Sequence, residues 1–151
     1  MDDINERLRE AAKAGSGAKL KALLIDPGCD ALSKGVHGMT ALMWAAYHGK
    51  KACVRLLLPA SNAFAKDRTG MTALMLAAYG GHKACVEILF PVSEVLAASN
   101  NGTTASEWAG RRSHKGLAQF IDAYALSQTE KAAMGVMVIA STPRKKTAPR
   151  V

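Results

Sequence analysis

Residues 70–90, GMTALMLAAYGGHKACVEILF, nearly duplicate residues 38–58, GMTALMWAAYHGKKACVRLLL. The two stretches begin 32 residues apart, and 15 of their 21 positions are identical. A period between about 20 and 50 residues is typical of repeat proteins, in which each repeat is one supersecondary unit. The duplication therefore predicts a chain of stacked, similar units.

Further landmarks repeat with the same spacing. Three sets keep it: Gly38, Gly70 and Gly102; Pro27, Pro59 and Pro91; and Leu32, Phe64 and Leu96. A degenerate third copy occupies residues 102–122, and a partial copy at residues 8–24 aligns with residues 42–58 at an offset of 34. We predict one repeat domain over residues 1–126. Its four units have the approximate bounds 4–34, 35–66, 67–98 and 99–126.

Each unit is predicted to contain two short helices. In the second unit Thr40 is a suitable N-cap, Gly49 suits the end of the first helix, and Pro59 stops the second helix. Helices of about nine residues are marginal in water by themselves. Their apolar faces must therefore be covered by the next unit, which predicts an all-α solenoid.

A fixed set of residues recurs in register through the units. Between residues 67 and 90 it consists of Asp67, Gly70, Thr72, Leu74, Ala77, Ala78, Gly81, His82, Val86 and Leu89. This pattern resembles the ankyrin repeat, whose unit runs roughly D-x-x-G-x-T-P-L-H-x-A-A-x-x-G-H-x-x-x-V-x-x-L-L. The resemblance covers about residues 4–125. The phrase TALMxAA…G…CV…L also resembles ankyrin-only proteins of diplomonad protists.

Two positions depart consistently from the family pattern. The family's Pro is replaced by Ala41, Ala73 and Ala105, and its His is replaced by Met43, Met75 and Glu107. In the family that His helps to form a hydrogen-bond network between repeats. We therefore expect this network to be absent here.

The resemblance implies an ankyrin-type α-solenoid of about four helix-turn-helix repeats with projecting loops. It also implies a non-catalytic scaffold or adaptor that binds a protein partner through the concave repeat surface, without a cofactor. The motifs GxGxxG, GxSxG, GxxxxGK[ST] and HExxH do not occur in the sequence, so an enzyme would need a scattered catalytic set.

The exposed repeat positions of the ankyrin fold predict a binding stripe. These positions are the loop tip, the residue after Gly and the two residues after Ala-Ala. The stripe is rich in Tyr, Met, His and Arg, which suit protein interfaces. Its members are His37, Met39, Tyr47, His48, Arg68, Met71, Tyr79, Asn101, Arg111 and Arg112, with Val36, Thr69, Gly80, Asn100 and Thr103 in the same register.

The alternative for each stripe residue is that it merely packs against neighbouring helices. Tyr47 and Tyr79 recur 32 residues apart at a position where packing requires no aromatic side chain. The stripe as a whole therefore favours binding.

Two differences between the central copies carry further expectations. Trp44 becomes Leu76, a change expected to alter only local core packing. Lys50 becomes His82, a change expected to alter the charge of the outer surface.

Cysteine and histidine usage predicts structural roles. Cys53 and Cys85 occupy equivalent positions and are predicted to be small buried hydrophobes, since a disulfide needs Cα atoms within about 7 Å and repeats stack farther apart. An odd cysteine count without a signal peptide predicts an intracellular, cytoplasmic location. The histidines have no Cys or carboxylate at ligand spacing, so no metal site is predicted.

The formal net charge of +8 is concentrated towards the end of the chain. About half of it lies in residues 130–151. This basic end gives the alternative function, electrostatic binding of nucleic acid or another acidic surface. We expect no membrane span and a monomer.

The segment after the repeats has its own signals. Ser127 and Glu130 form the S-x-x-E pattern of a capping box, which predicts a C-terminal helix or capping segment over residues 127–140. The apolar run 136–140 would dock on the last repeat or bind a partner, and docking is favoured because an exposed run promotes aggregation. Residues 141–151 are predicted to be a basic disordered tail. Within the tail Thr142 lies in a T-P-x-K pattern, a candidate phosphosite.

Overall fold

The helices form four consecutive pairs. The structure, a computed structural model, describes residues 3–141, with side chains as far as residue 134. Within that range it contains eight α-helices and no β-structure beyond one isolated bridge. The helices are α1 (Ile4–Ala14), α2 (Gly17–Leu24), α3 (Ala41–Tyr47), α4 (Lys51–Leu57), α5 (Ala73–Gly80), α6 (Lys83–Leu89), α7 (Ala105–Arg111) and α8 (Lys115–Ser141).

Threonine starts the first helix of each later pair. The hydroxyls of Thr40, Thr72 and Thr104 accept the backbone N–H three residues ahead, at 3.3–3.4 Å. In α7 the Glu107 carboxylate also accepts the Thr104 N–H at 2.9 Å, which completes a capping box. The N-cap predicted at Thr40 is confirmed, and the repeat supplies the same cap wherever this threonine recurs.

Proline ends the second helices of the central pairs. Helices α4 and α6 run into 3₁₀ turns at Leu58–Ala60 and Phe90–Val92, in which Pro59 and Pro91 are the second residues. Proline has no N–H for a further helical hydrogen bond, so the chain leaves the helix there. The predicted order of helix, turn, helix and loop is thereby confirmed.

Two layers of helices enclose the core. The first helices α1, α3, α5 and α7 pack side by side, and α2, α4 and α6 form the second layer. The paired alanines of α3 and α5 are fully buried, because small side chains let neighbouring helices approach closely. Cys53 and Cys85 are also fully buried, as predicted. Each pair thus covers the apolar face of the previous one.

The loops before the first helices close on themselves. The backbone N–H of Gly35, Asp67 and Ser99 donates to the carbonyls of Met39, Met71 and Thr103 respectively, at 3.0 Å in each case.

Further hydrogen bonds join each loop to the next. The Arg68 N–H donates to the His37 carbonyl at 3.1 Å, and the Asn100 N–H donates to the Thr69 carbonyl at 3.0 Å. The Lys34 ammonium donates to the Lys66 carbonyl at 2.7 Å. The loops therefore carry hydrogen bonds between repeats, although the family histidine is replaced.

Histidines from one repeat pack over glycines of the previous one. Gly49 has φ 70° and Gly81 has φ 77°, and a Cβ at either position would meet the ring of His82 or His114. The His82 Nε2 also hydrogen-bonds the Tyr47 carbonyl at 3.0 Å. The change from Lys50 to His82 therefore affects packing between repeats as well as charge, and His82 has the structural role predicted for the histidines.

The last helix differs from its predicted form. No new helix begins at Ser127, because α8 runs unbroken through that position and the Ser127 hydroxyl donates back to the Tyr124 carbonyl at 2.7 Å. The first part of α8 is anchored by the buried side chains of Leu117 and Ile121. Beyond it, Leu126 is 63% exposed.

Two predictions fall outside what the structure describes. The side chains of residues 136–140 lie outside the described residues, and so does any docking by them. The tail with Thr142 also lies outside them.

Candidate functional site

A row of aromatic side chains crosses three repeats. Its members lie in the C-terminal halves of α3, α5 and α7 or at the helix end, and all are half-buried. Side chains at equivalent positions of stacked repeats become neighbours, so a sequence period turns into a continuous surface. The row, called the aromatic row below, consists of Trp44, Tyr47, His48, Tyr79 and Trp108.

The rings of the aromatic row contact one another directly. Tyr47 and Tyr79 stack with centroids 6.0 Å apart and planes 20° apart. Trp108 meets Tyr79 edge to face at 5.7 Å, and Trp44 stacks on His48 at 5.8 Å. Such pairs stabilise by about 0.5–1.5 kcal/mol beyond their buried area. The contacts hold the row in one arrangement before any partner binds.

Cationic side chains lie over the rings at both ends of the row. The guanidinium carbon of Arg112 is 4.6 Å from the centroid of Tyr79, and that of Arg111 is 5.4 Å from Trp108. At the other end, the Lys13 ammonium is 5.4 Å from the Trp44 ring. Cation–π attraction of this kind orients the charged groups along the row.

His48 contributes no charge of its own near neutral pH. Burial lowers the pKa of its imidazole, and electrostatic repulsion by Lys13 and Lys50 lowers it further. Its Nε2 and the Trp108 Nε1 are buried and have no hydrogen-bond partner within the described range. His48 is therefore uncharged, and the charges at the row come from the cations around its rings.

The other predicted residues form a separate row at the loop tips. His37, Arg68 and Asn101 are exposed. Arg68 is linked to its neighbours through its backbone, and the Asn100 amide donates to its carbonyl at 3.0 Å. Between the described residues of this loop row and the aromatic row there is no hydrogen bond or ring contact. The structure therefore divides the predicted stripe in two.

Two methionines of the predicted stripe belong to the core. Met39 is 7% exposed and Met71 is 8% exposed, so the expectation that they line the surface is wrong. Each lies at the base of a closed loop, where its side chain packs among buried residues. Thr103, in the same register, is also buried.

Gly80 is explained by packing. A Cβ at this position would lie 2.8 Å from the Tyr47 carbonyl oxygen and 2.6 Å from the His82 ring. The difference between His48 and Gly80 therefore reflects the space that His82 needs.

Sequence reasoning missed three contributors to the surface. Trp44 was assigned to the core, and neither Trp108 nor Lys13 was included in the stripe. The signal was present, because Trp44 lies three residues before Tyr47 and so shares its helical face. Trp108 occupies the position equivalent to Trp44, while Lys13 is equivalent to Tyr47 at the offset of 34.

Comparison with protein families identifies the repeat. The family model for ankyrin repeats (3 copies) matches residues 8–99 and residues 62–126. The chain belongs to the ankyrin repeat family. No curated protein matches it significantly. The resemblance inferred from residues 67–90 is confirmed, and so is the ankyrin-type all-α fold.

Ankyrin repeats generally mediate protein–protein interaction, and ankyrin repeat proteins are typically non-catalytic. In the described part of this ankyrin repeat chain, no helix is long and apolar enough to cross a membrane. Residues 3–141 also hold no cluster of three or more His, Cys, Asp or Glu that suits a metal ion.

The thiolate forms of the cysteines are disfavoured in this ankyrin repeat protein. Burial raises the pKa of Cys85 to about 11 and also raises the pKa of Cys53. The pKa of the half-buried Cys29 is raised by burial and by the negative charges of Asp26 and Asp30. Because the thiolate is the reactive form, these groups favour a structural role.

Proposed function

We propose that this ankyrin repeat protein is a non-catalytic adaptor that binds a protein partner through the face of its first helices. The observation that carries the proposal is the stacked pair Tyr47 and Tyr79, which is half-buried and has Arg112 over one of its rings. Tyr and Arg are the residue types that most often dominate interface energies. This face corresponds to the concave surface through which the family usually binds.

Rigidity of the aromatic row supports the proposal. A ring that is already held by its neighbours loses little conformational freedom when a partner covers it. The fully buried alanines below the tyrosines hold the backbone in place. The row therefore combines a fixed shape with a half-exposed apolar surface.

Partner capture by a double variant tests the proposal. We expect Tyr47→Ala with Tyr79→Ala to lose the proteins that the wild-type chain captures from its native cell, while its far-ultraviolet circular dichroism stays unchanged. The matched control is Leu32→Ala with Phe64→Ala, which removes two side chains that also recur 32 residues apart and are 53% and 60% exposed. The control should capture the same proteins as wild type.

Equal capture by the tyrosine variant and the control would overturn the proposed surface. A chain without residues 141–151 distinguishes the alternative function. We expect it to retain capture, whereas electrostatic binding through the basic end requires that capture disappears and that added salt weakens it steeply.

A further inference from the structure

The charges around the aromatic row are almost all of one sign. Four equivalent positions of each repeat surround the row. In the order of the repeats, the first position holds Glu10, Trp44, Leu76 and Trp108, and the second holds Lys13, Tyr47, Tyr79 and Arg111. The third holds Ala14, His48, Gly80 and Arg112, and the fourth holds Ser16, Lys50, His82 and His114. The cations are Lys13, Lys50, Arg111 and Arg112, and Glu10 is the one carboxylate. From this we infer that the partner segment is a short acidic peptide. The inference rests on the proposed function and names the partner for the same surface.

The cations are available to a partner. Glu10 lies 4.0 Å from the Lys13 ammonium, and both side chains remain about half exposed. Among the described residues, no ion pair involves Lys50, Arg111 or Arg112. Lys50 is half-buried, whereas Arg111 and Arg112 are exposed. Exposed cations without carboxylate partners, as these two arginines are, attract a negatively charged ligand and speed its association.

The geometry of the two arginines suits carboxylates. The guanidinium carbon of Arg112 lies 4.6 Å from the Tyr79 centroid, and that of Arg111 lies 5.4 Å from the Trp108 centroid. The five N–H donors of a guanidinium lie in its plane and point outward, where they form paired hydrogen bonds with a carboxylate. The rings therefore hold the two arginines at the row, where no carboxylate of the described residues pairs with either guanidinium.

The row also suits an apolar side chain between the charged ends. The Tyr47 and Tyr79 rings are half-buried, and His48 is neutral because its pKa is lowered. An aromatic or aliphatic side chain of the peptide would pack against Tyr47 and the neutral His48, beside Arg112.

The dimensions of the row fit a peptide of about eight residues. Neighbouring packed helices lie about 8–10 Å apart, so the three intervals from α1 to α7 span roughly 24–30 Å. An extended chain rises about 3.3 Å per residue, and about eight residues therefore cross from Lys13 to Arg111.

The ring contacts favour a peptide over single-stranded nucleic acid. Nucleic acid bases bind by stacking on free aromatic faces. Here Tyr47 and Tyr79 stack on each other, and Arg112 lies over Tyr79. The row therefore offers few faces to bases, while its edges and cations remain accessible to a peptide.

Selection from a library tests the inference. Random octapeptides displayed on phage are selected on the immobilised full chain. We expect the enriched peptides to carry Asp or Glu on both sides of an aromatic or aliphatic residue. The dissociation constant of an enriched, fluorescein-labelled peptide is then measured by fluorescence anisotropy.

Variants that remove charges test whether Arg111 and Arg112 contact the peptide. Arg111→Gln with Arg112→Gln is expected to weaken peptide binding about tenfold, because it removes two solvent-exposed ion pairs with the peptide. Arg111→Lys with Arg112→Lys keeps the charges and should weaken peptide binding less. The matched control, Lys51→Gln with Arg55→Gln, removes two exposed charges from α4 and should change nothing. Circular dichroism confirms that each variant is folded.

The outcomes separate the inference from the proposed function. The inference of an acidic peptide is overturned if neutral or basic peptides are enriched. It is also overturned if the Arg→Gln variant and wild type bind the enriched peptide with equal affinity. If such peptides still fail to bind Tyr47→Ala with Tyr79→Ala, the proposed surface stands. Failure to enrich any octapeptide also overturns the inference, and partner capture then decides the function. If a mixed-sequence single-stranded oligonucleotide binds through Arg111 and Arg112 more tightly than the peptide does, the ligand of this surface is nucleic acid and not an acidic peptide.

Discussion

Single glycines determine how closely the repeats stack. Gly81 has φ 77°, and a Cβ there would lie 2.5–2.8 Å from three atoms of the His114 ring. Both its backbone conformation and the space beside it thus require glycine. Gly110, in α7, has a helical conformation, and a Cβ there would have no neighbour within 4 Å.

We expect Gly81→Ala to lower the free energy of unfolding by at least about 1–2 kcal/mol, the cost of a left-handed residue with a side chain. Displacement of His114 adds to that cost. Gly110→Ala should instead raise the free energy of unfolding by about 0.5–1 kcal/mol, since alanine favours the helix. Urea unfolding followed by circular dichroism measures both. Similar values for the two variants would contradict this explanation of Gly81.

We expect His48 to make the stability of the fold depend on pH. Its folded-state pKa is lowered from 6.5, chiefly by burial. As the pH falls below about 6.5, His48 takes up a proton in the unfolded chain but not yet in the folded chain. The free energy of unfolding therefore decreases as the pH falls towards the folded-state pKa of His48. We expect the unfolding free energy to decrease from about pH 7.5 to about pH 5, and His48→Gln to decrease less.

Urea unfolding at both pH values provides the measurement. His37→Gln, which removes an exposed imidazole at a loop tip, is the control and should follow wild type. An identical pH dependence in His48→Gln would show that another group is responsible.

At the scale of the element, α8 shows how a local signal is overridden. Ser127 and Glu130 have the spacing of a capping box, yet they lie inside a helix. The Ser127 hydroxyl is bonded to the Tyr124 carbonyl, so it does not cap a new N-terminus. Local spacing predicted the existence of a C-terminal helix correctly. It could not predict where that helix starts, because packing against α7 already orders the preceding residues.

Packing also predicts which part of α8 matters for stability. The rings of Tyr124 and Phe90 stack with centroids 3.9 Å apart, while Leu126 points into solvent. We expect Tyr124→Ala to lower the unfolding free energy by about 1–3 kcal/mol, less than for a fully buried aromatic residue. Leu126→Ala should stay within about 0.5 kcal/mol of wild type. Thermal melts test this, and equal destabilisation would contradict the observed packing of α8.

At the scale of the whole molecule, the buried thiols report cooperative unfolding. Cys53 and Cys85 lie in the stacked second helices, whereas Cys29 lies in a loop and is half-buried. We expect N-ethylmaleimide to label Cys29 first in native buffer, because access is required as well as the thiolate. Labelling of the two buried thiols should rise together with urea at the unfolding midpoint. Peptide mass spectrometry measures each site, and early labelling of Cys85 would contradict one cooperative stack.

The repeated sequence by itself determined the fold of this protein. A period of 32, a threonine cap and paired alanines specify short helices that must stack, and they also place Tyr47 beside Tyr79. Tertiary structure alone decided which side chains share a surface. It buried Met39 and Met71 and joined Lys13 of α1 to the aromatic row. The physical reason is that periodicity specifies each repeat and its neighbour, whereas the direction of a side chain depends on how the packed helices and loops leave space for it.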